Sequence, residues 1–340
     1  MYLKLKTGVA SLGLINMSSH PTGSTSNKSV ADRTCILDNG RKIAYDICGA
    51  KNGHPVFHLH GWPGARTEVS LFAVQAAELG ARIIAIDRPG IGLSTPHPRR
   101  TVLDHALDIR QVAKHLGLKE YSVMGVSGGG QYALACAFMI PPEELRSVAL
   151  VCGQGPVEIS LKGMKFGNQI VVRGFQYYPS FIRVLMHGVS WTLKLLNMDR
   201  MSNGRILEHV QTLDRWNLLG VPEMDRKVMA NPDTMLAVIT SVREHFRQGV
   251  DGCLEEGRVT TSHLGFDLRD VKRNVRLWYG REDTDVPAAI GEEIARQLGE
   301  NATLRLEDAT HLSLVVDHQR PILQDLLDAA GYRRVAMAED

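Results

Sequence analysis

VMGVSGGGQYALA, residues 123–135, sets one hydroxyl among a run of glycines. A β-prone apolar run enters Gly-x-Ser-x-Gly and an alanine-rich segment leaves it, so a strand, a tight turn and a helix are written into one short stretch. Gly125 and Gly129 let a helix approach the turn closely, and Ser127 at the apex sits where backbone strain exposes a side-chain oxygen. The motif alone is only moderately specific: with 32 glycines among 340 residues, random placement yields about 0.2 matches. Its surroundings must decide between a nucleophile and a turn serine.

The rest of the chain reads as alternating strands and helices. CILDNGRKIAYDIC forms a hairpin around Asp38, Asn39 and Gly40, PVFHLHG supplies another strand, and SLFAVQAAEL a helix. RIIAID and YSVMGVS continue the series with a helix over Thr101 to His115 between them, and LRSVALVCG, VRLWYG and ATLRLE add three more strands. PAAIGEEIARQLG separates the last two with helical spacing. This order predicts an α/β fold with a mostly parallel sheet and helices on both faces.

Between Gly155 and Arg269 the strand signals fade, and Phe166, Phe175, Tyr177, Tyr178, Phe181, Trp191 and Trp216 crowd the segment. It reads as a mainly helical lid, residues 155–269, inserted between core halves 31–154 and 270–330, with most aromatics in the lid core and Trp191 or Trp216 as pocket contacts. Residues 1–30, which include SSHPTGSTSNKSVADR up to its last few positions, read as a flexible extension and 331–340 as a tail.

Composition narrows the function classes. Hydrophobic residues make up 44% of the chain, and 39 basic against 37 acidic residues leave a net charge of +2, with no basic stripe to suggest a nucleic-acid partner. Arg99 and Arg100 read as a solvated pair. Cys35, Cys48, Cys136, Cys152 and Cys253 show no metal-ligand spacing, and their odd number favours a cytoplasmic or other reducing intracellular compartment. No apolar stretch is long and clean enough for an integral membrane segment. Oligomeric state is written in no linear pattern.

A serine hydroxyl attacks a carbonyl only when a positioned base takes its proton. His311, in LEDATHLSLV after the ATLRLE strand, lies where a loop returns to the strand end that carries Ser127. In GREDTDVP, residues 280–287, Asp283 is the expected acid that orients the imidazole, with Glu282 and Asp285 as competitors. Backbone amides of Gly128 and Trp62 are the expected donors to an oxyanion, and His60 and Gly61 the supporting loop. No metal or organic cofactor is needed.

These elements together resemble the α/β-hydrolase family: HGWPG at 60–64, DRPGIGLS at 87–94, GVSGG at 125–129, GREDTDVP at 280–287 and the late His311, in the family's order of nucleophile, acid, histidine. The resemblance spans roughly residues 34–330. It implies that Ser127 is the nucleophile, Asp283 the acid and His311 the base of a serine hydrolase acting on an ester or lactone, with a moderately apolar small-molecule substrate. C–C bond hydrolysis, acyl transfer or cyclisation on the same residues, and a non-catalytic receptor, are the alternatives. HGWP also occurs in epoxide hydrolases of this fold, but their nucleophile is an aspartate. Proline iminopeptidases are similar around the oxyanion loop, yet carry HGGPG and DQRG-type wording, which argues against aminopeptidase activity.

Overall fold

The computed structural model describes residues 33–195 and 221–332, with Ser202, Gly204, Arg205 and Glu208 between them. The expected extension at 1–30 and most of the tail at 331–340 lie outside the described residues, as does Trp216.

Eight strands form one sheet: β1 (Arg33–Ile36), β2 (Lys42–Gly49), β3 (His54–Leu59), β4 (Ala81–Ile86), β5 (Tyr121–Val126), β6 (Leu145–Val151), β7 (Val275–Gly280) and β8 (Ala302–Glu307). Their spatial order is β1-β2-β4-β3-β5-β6-β7-β8. β2 pairs antiparallel with β1 and with β4, and every pairing from β4 through β8 is parallel. The expected hairpin and mostly parallel sheet are therefore present.

All six residues of β5 are buried, as befits a central parallel strand covered on both faces. Successive side chains alternate between the faces. Phe57, Leu59, Ile84 and Ile86 enter one core with helices α2 (Val102–His115) and α3 (Gly130–Met139), whereas Val56, Ile83 and Ala85 enter the other with α1 (Ala73–Leu79). The expected helix over SLFAVQAAEL begins as a 3₁₀ stretch, Arg66–Phe72, before becoming α1. Thr101 starts α2 with a capping box, its side chain accepting the Asp104 amide while the Asp104 carboxylate accepts the Thr101 amide.

After β6 the chain leaves the sheet for α4 (Phe166–Tyr177), α5 (Pro179–Leu195), α6 (Glu223–Met229), α7 (Pro232–His245) and α8 (Asp251–Thr260). The segment is helical, as its fading strand signals predict. Its aromatics correct the expectation of a lid core: Phe166, Tyr177, Tyr178, Phe181 and Trp191 are exposed, while Phe175 packs edge-on to Trp62 at 5.7 Å. The chain returns through β7, α9 (Ala288–Leu298), β8, α10 (His311–Asp317) and α11 (Gln319–Ala329). No helix among the described residues is long and apolar enough to cross a membrane.

Arg99 and Arg100 also differ from the solvated pair expected. Arg99 turns outward on a left-handed backbone (φ 62°), while Arg100 is buried and donates to the Tyr132 hydroxyl at 3.2 Å. A charged residue beside another in sequence says nothing about which one the fold encloses.

Candidate active site

The turn after β5 places Ser127 at φ 51°, the left-handed region that costs a non-glycine residue about 1 kcal/mol or more. The surrounding packing holds it there. A Cβ on Gly125 would lie 2.5 Å from the Gly129 carbonyl oxygen and 2.7 Å from the Ala133 Cβ, so only glycine lets α3 start this close to β5. Gln154 donates its backbone N–H to the Ser127 carbonyl at 2.8 Å, and the Gln131 side chain donates to the carbonyls of Gly155 and Thr260.

Loops after β7 and β8 bring the two distant partners to this turn. His311 Nε2 lies 3.0 Å from Ser127 Oγ, and His311 Nδ1 lies 2.7 Å from Asp283 Oδ2. Asp283 is buried, and its other oxygen accepts the backbone amides of Asp285 and Val286 at 2.7 and 2.9 Å. One oxygen is thus spent on fixing the loop and the other faces the imidazole. The competing acids lie elsewhere: Glu282 is exposed, and Asp285 pairs with Lys165 and accepts from the Asn168 side chain at 2.8 Å.

Burial by itself would depress the His311 pKa, but Cys152 and the hydrogen-bonded Asp283 carboxylate hold it well above the ordinary 6.5. Cys152 approaches the same imidazole, its Sγ 3.9 Å from Nε2, and burial raises its own pKa. Cys152, Asp283 and His311 are the one group of three metal-ligand side chains among the described residues, their atoms within 4.8 Å of one another. The direct His311–Asp283 hydrogen bond turns both groups toward each other, a geometry for holding a proton rather than for converging on a cation.

The loop after β3 closes the site. A Cβ on Gly128 would sit 3.1 Å from the Trp62 amide nitrogen, so the Gly128 and Trp62 backbones lie side by side next to Ser127. The loop is anchored by groups that the sequence did not single out. Arg88 donates to the carbonyls of His60 and Gly61 at 2.6 and 2.8 Å, Glu68 accepts the Gly61 amide at 3.2 Å, and His245 of α7 donates to the Gly64 carbonyl at 2.8 Å. Arg88 is fully buried, paired with the equally buried Glu256 of α8 and stacked over the Tyr132 ring. His60 donates from Nδ1 to the Gly61 carbonyl at 2.9 Å, and burial followed by the Arg88 charge pushes its pKa well below 6.5. It is a neutral part of the loop and does not reach Ser127. The signal for Arg88 was present in DRPGIGLS, as a charge inside an otherwise apolar strand end, but its partner Glu256 lies in a different helix far along the chain.

Ser127, Gly128, Trp62 and His311 open into a cavity of about 330 Å³, walled by Val171, Val172 and Phe175 of α4, Met164 and Val286, with Asp225 and Asp285 at its polar margin. Asp225 is held by the Thr310 hydroxyl and the Ser313 amide, which ties α6 to the His311 loop. Trp191 does not line this cavity. Phe175 also lines a second cleft of about 640 Å³, bounded by Pro89, Pro96, Pro98 and Arg258.

Sequence and structure comparisons bear on the family and the fold. A proline iminopeptidase of Xylella fastidiosa is 34% identical over 119 residues, 34% of this chain and 37% of that protein, and one of Arabidopsis thaliana is 40% identical over 96 residues, 27% of this chain and 25% of that protein. The chain thus aligns with about a third of these relatives' length. The enol-lactonase from Burkholderia xenovorans superposes with a TM-score of 0.61 at 18% identity, covering 87% of this chain and all of that one, and an esterase from Exiguobacterium antarcticum with 0.56 at 19%, covering 88% and 98%. At such identities the likeness is one of fold. The family model described as alpha/beta hydrolase fold matches residues 54–317, from β3 to the end of α10, and so takes in the serine turn, the acid loop and the histidine loop at once; this chain belongs to the alpha/beta hydrolase fold family.

Proposed function

We propose that this chain is a serine hydrolase that cleaves a neutral ester or lactone through an acyl-enzyme on Ser127. The observation that carries the reading is the continuous hydrogen-bonded path from Ser127 Oγ through His311 to Asp283, at 3.0 and 2.7 Å, at the floor of an apolar cavity. In this reading His311 takes the Ser127 proton as Oγ bonds to the carbonyl carbon, and the Trp62 and Gly128 amides receive the oxyanion. Collapse breaks the bond to the alkoxy group, which leaves with the proton from His311. The imidazole then takes a proton from water, whose oxygen attacks the acyl carbon, and Ser127 departs with that proton as the acid is released. Asp283 keeps Nδ1 protonated and stabilises the imidazolium. Residues 155–269 serve as the lid between core halves 31–154 and 270–330, and the five free cysteines suit a reducing intracellular compartment.

The curated relatives suggest iminopeptidase activity as a second reading. Two carboxylates at the cavity margin are what a cationic amine would seek, but Asp285 is already paired with Lys165, and Asp225 already accepts from Thr310 and Ser313. That engagement favours a neutral substrate. A receptor would be expected to hold Ser127 and His311 apart, whereas they are in hydrogen-bond contact. C–C hydrolysis, acyl transfer and cyclisation share the same first half-reaction.

A panel of activated esters, lactones and prolyl amides, followed by rapid-quench intact-mass measurement, tests the reading. An acyl adduct on Ser127 and turnover of esters or lactones are expected. Turnover confined to prolyl amides would overturn the substrate class, and tight reversible binding with no adduct would overturn catalysis.

A further inference from the structure

Helices α4 and α5 present an apolar surface that no described residue covers. α5 is attached through a narrow seam, Ile182, Met186 and Ser190, one turn apart and all buried. Around that seam Phe181 is 58% exposed, Val184 72%, Trp191 64% and Leu195 61%. On α4, Phe166, Ile170, Arg173 and Tyr177 form one exposed stripe along the helix, while the opposite side lines the cavity that holds Ser127. A helix that is apolar nearly all round normally lies in a core or against another apolar phase, and contiguous exposed patches of this kind mark interaction surfaces.

Charge selects the occupant. Residues 159–198 contain Lys162, Lys165, Arg173, Arg183 and Lys194 and no aspartate or glutamate. Lys165 is paired with Asp285, and Arg183 with Asp251 at 3.2 Å; Lys162, Arg173 and Lys194 have no acidic partner among the described residues. A second copy docking through the same patch would set these like charges against each other. Anionic lipid headgroups would instead neutralise them, while phenylalanine, valine and leucine side chains enter the acyl boundary and Tyr177, Tyr178 and Trp191 sit at headgroup level. We propose that the α4–α5 face docks the protein on an anionic lipid surface. The proposal is independent of the chemistry assigned to Ser127, and it would bring the outer side of the cavity wall against a source of apolar substrate.

The test is co-sedimentation of the full chain with phosphatidylglycerol vesicles and with phosphatidylcholine vesicles. Retention on the anionic vesicles that weakens as salt rises is expected, with binding to the neutral ones about tenfold weaker or more. The pair Arg173→Gln and Lys194→Gln should lower anionic-vesicle binding by about 25-fold, since each basic residue near such a surface contributes roughly fivefold. The pair Phe181→Ser and Val184→Ser should abolish binding to both vesicle types. Both double variants should keep the wild-type circular dichroism spectrum and melting temperature, which report that they fold. A blue shift of tryptophan emission on phosphatidylglycerol vesicles should disappear in Trp191→Phe. Absence of binding by the wild-type chain, or unchanged binding by either double variant, overturns the proposal. So does a stable dimer that stays off the vesicles and that Phe181→Ser with Val184→Ser dissociates, which would assign the face to a second copy.

Discussion

The loops at the strand ends and the helices inserted after β6 are built by opposite rules. Around Ser127, His311 and Asp283 every backbone turn is tied by a named hydrogen bond, and even a strained serine at φ 51° is held in place. Helix α5, by contrast, has three buried side chains among its described ones and leaves Phe181, Val184, Trp191 and Leu195 exposed. Geometry that must hold to a few tenths of an ångström is carried by the rigid sheet, whereas the insert keeps an exposed apolar face. Between the two regions lies the buried Arg88–Glu256 pair, which joins the loop carrying Trp62 to α8.

The sharpest way to break the comparison is at the serine. Ser127→Ala should remove labelling by a phosphonate probe and lower turnover by about 10⁵ or more, with an unchanged melting temperature. Persisting labelling would move the chemistry to another residue.

Asp283→Asn should cost about 10⁴ in kcat, whereas Asp285→Asn, removed from the imidazole, should cost about tenfold or less. The two variants also differ in pH dependence. The proposed mechanism requires neutral His311, and because its pKa is held above 6.5, kcat/KM should fall as pH drops through a midpoint higher than 6.5. Removing the Asp283 charge takes away a contribution that raises the pKa, so the residual acid limb should move to lower pH. A limb that stays in place would detach Asp283 from His311.

Joining the regions makes a stability prediction. Glu256→Ala leaves the Arg88 guanidinium buried without its partner, and chemical denaturation should show a loss of about 3–5 kcal/mol. Glu255→Ala, one residue away and part of an exposed i,i+3 pair with Arg258, should lose less than about 0.5 kcal/mol. Equal losses would mean that Arg88 is satisfied without the insert.

The smallest effect concerns the wall between the cavities. Phe175 lines both the 330 Å³ cavity and the 640 Å³ cleft. Phe175→Ala should join them and shift kcat/KM by about tenfold from short toward long acyl chains, as measured with a series of esters of one alcohol. A uniform fall across the series would make Phe175 a packing residue only.

Legibility follows distance along the chain. The strand, turn and helix around Ser127 could be read because hydrophobic period, glycine spacing and helix onset are local properties of the backbone. Asp283 could be preferred over Asp285 because the order of strand, loop and Pro287 places it, and the two backbone amides it accepts lie within three residues of it. Arg88, Asp225 and Glu256 escaped notice because each acts on a partner brought near only by folding. The same holds for the two misjudged features. Arg100 is enclosed because Tyr132 and α8 close over it, and Phe166, Tyr177, Tyr178, Phe181 and Trp191 face outward because few described side chains pack on them.

The sequence by itself therefore determined the order of strands and helices, the elbow at Ser127 and the loops bearing Asp283 and His311, since these depend on short-range periodicity and turn chemistry. Only the tertiary structure decided which charges are buried, which groups anchor the Trp62 loop and which face of the insert is left for solvent or a lipid surface. Burial is a property of what else occupies the space around a side chain, and that is set by residues far away in the chain.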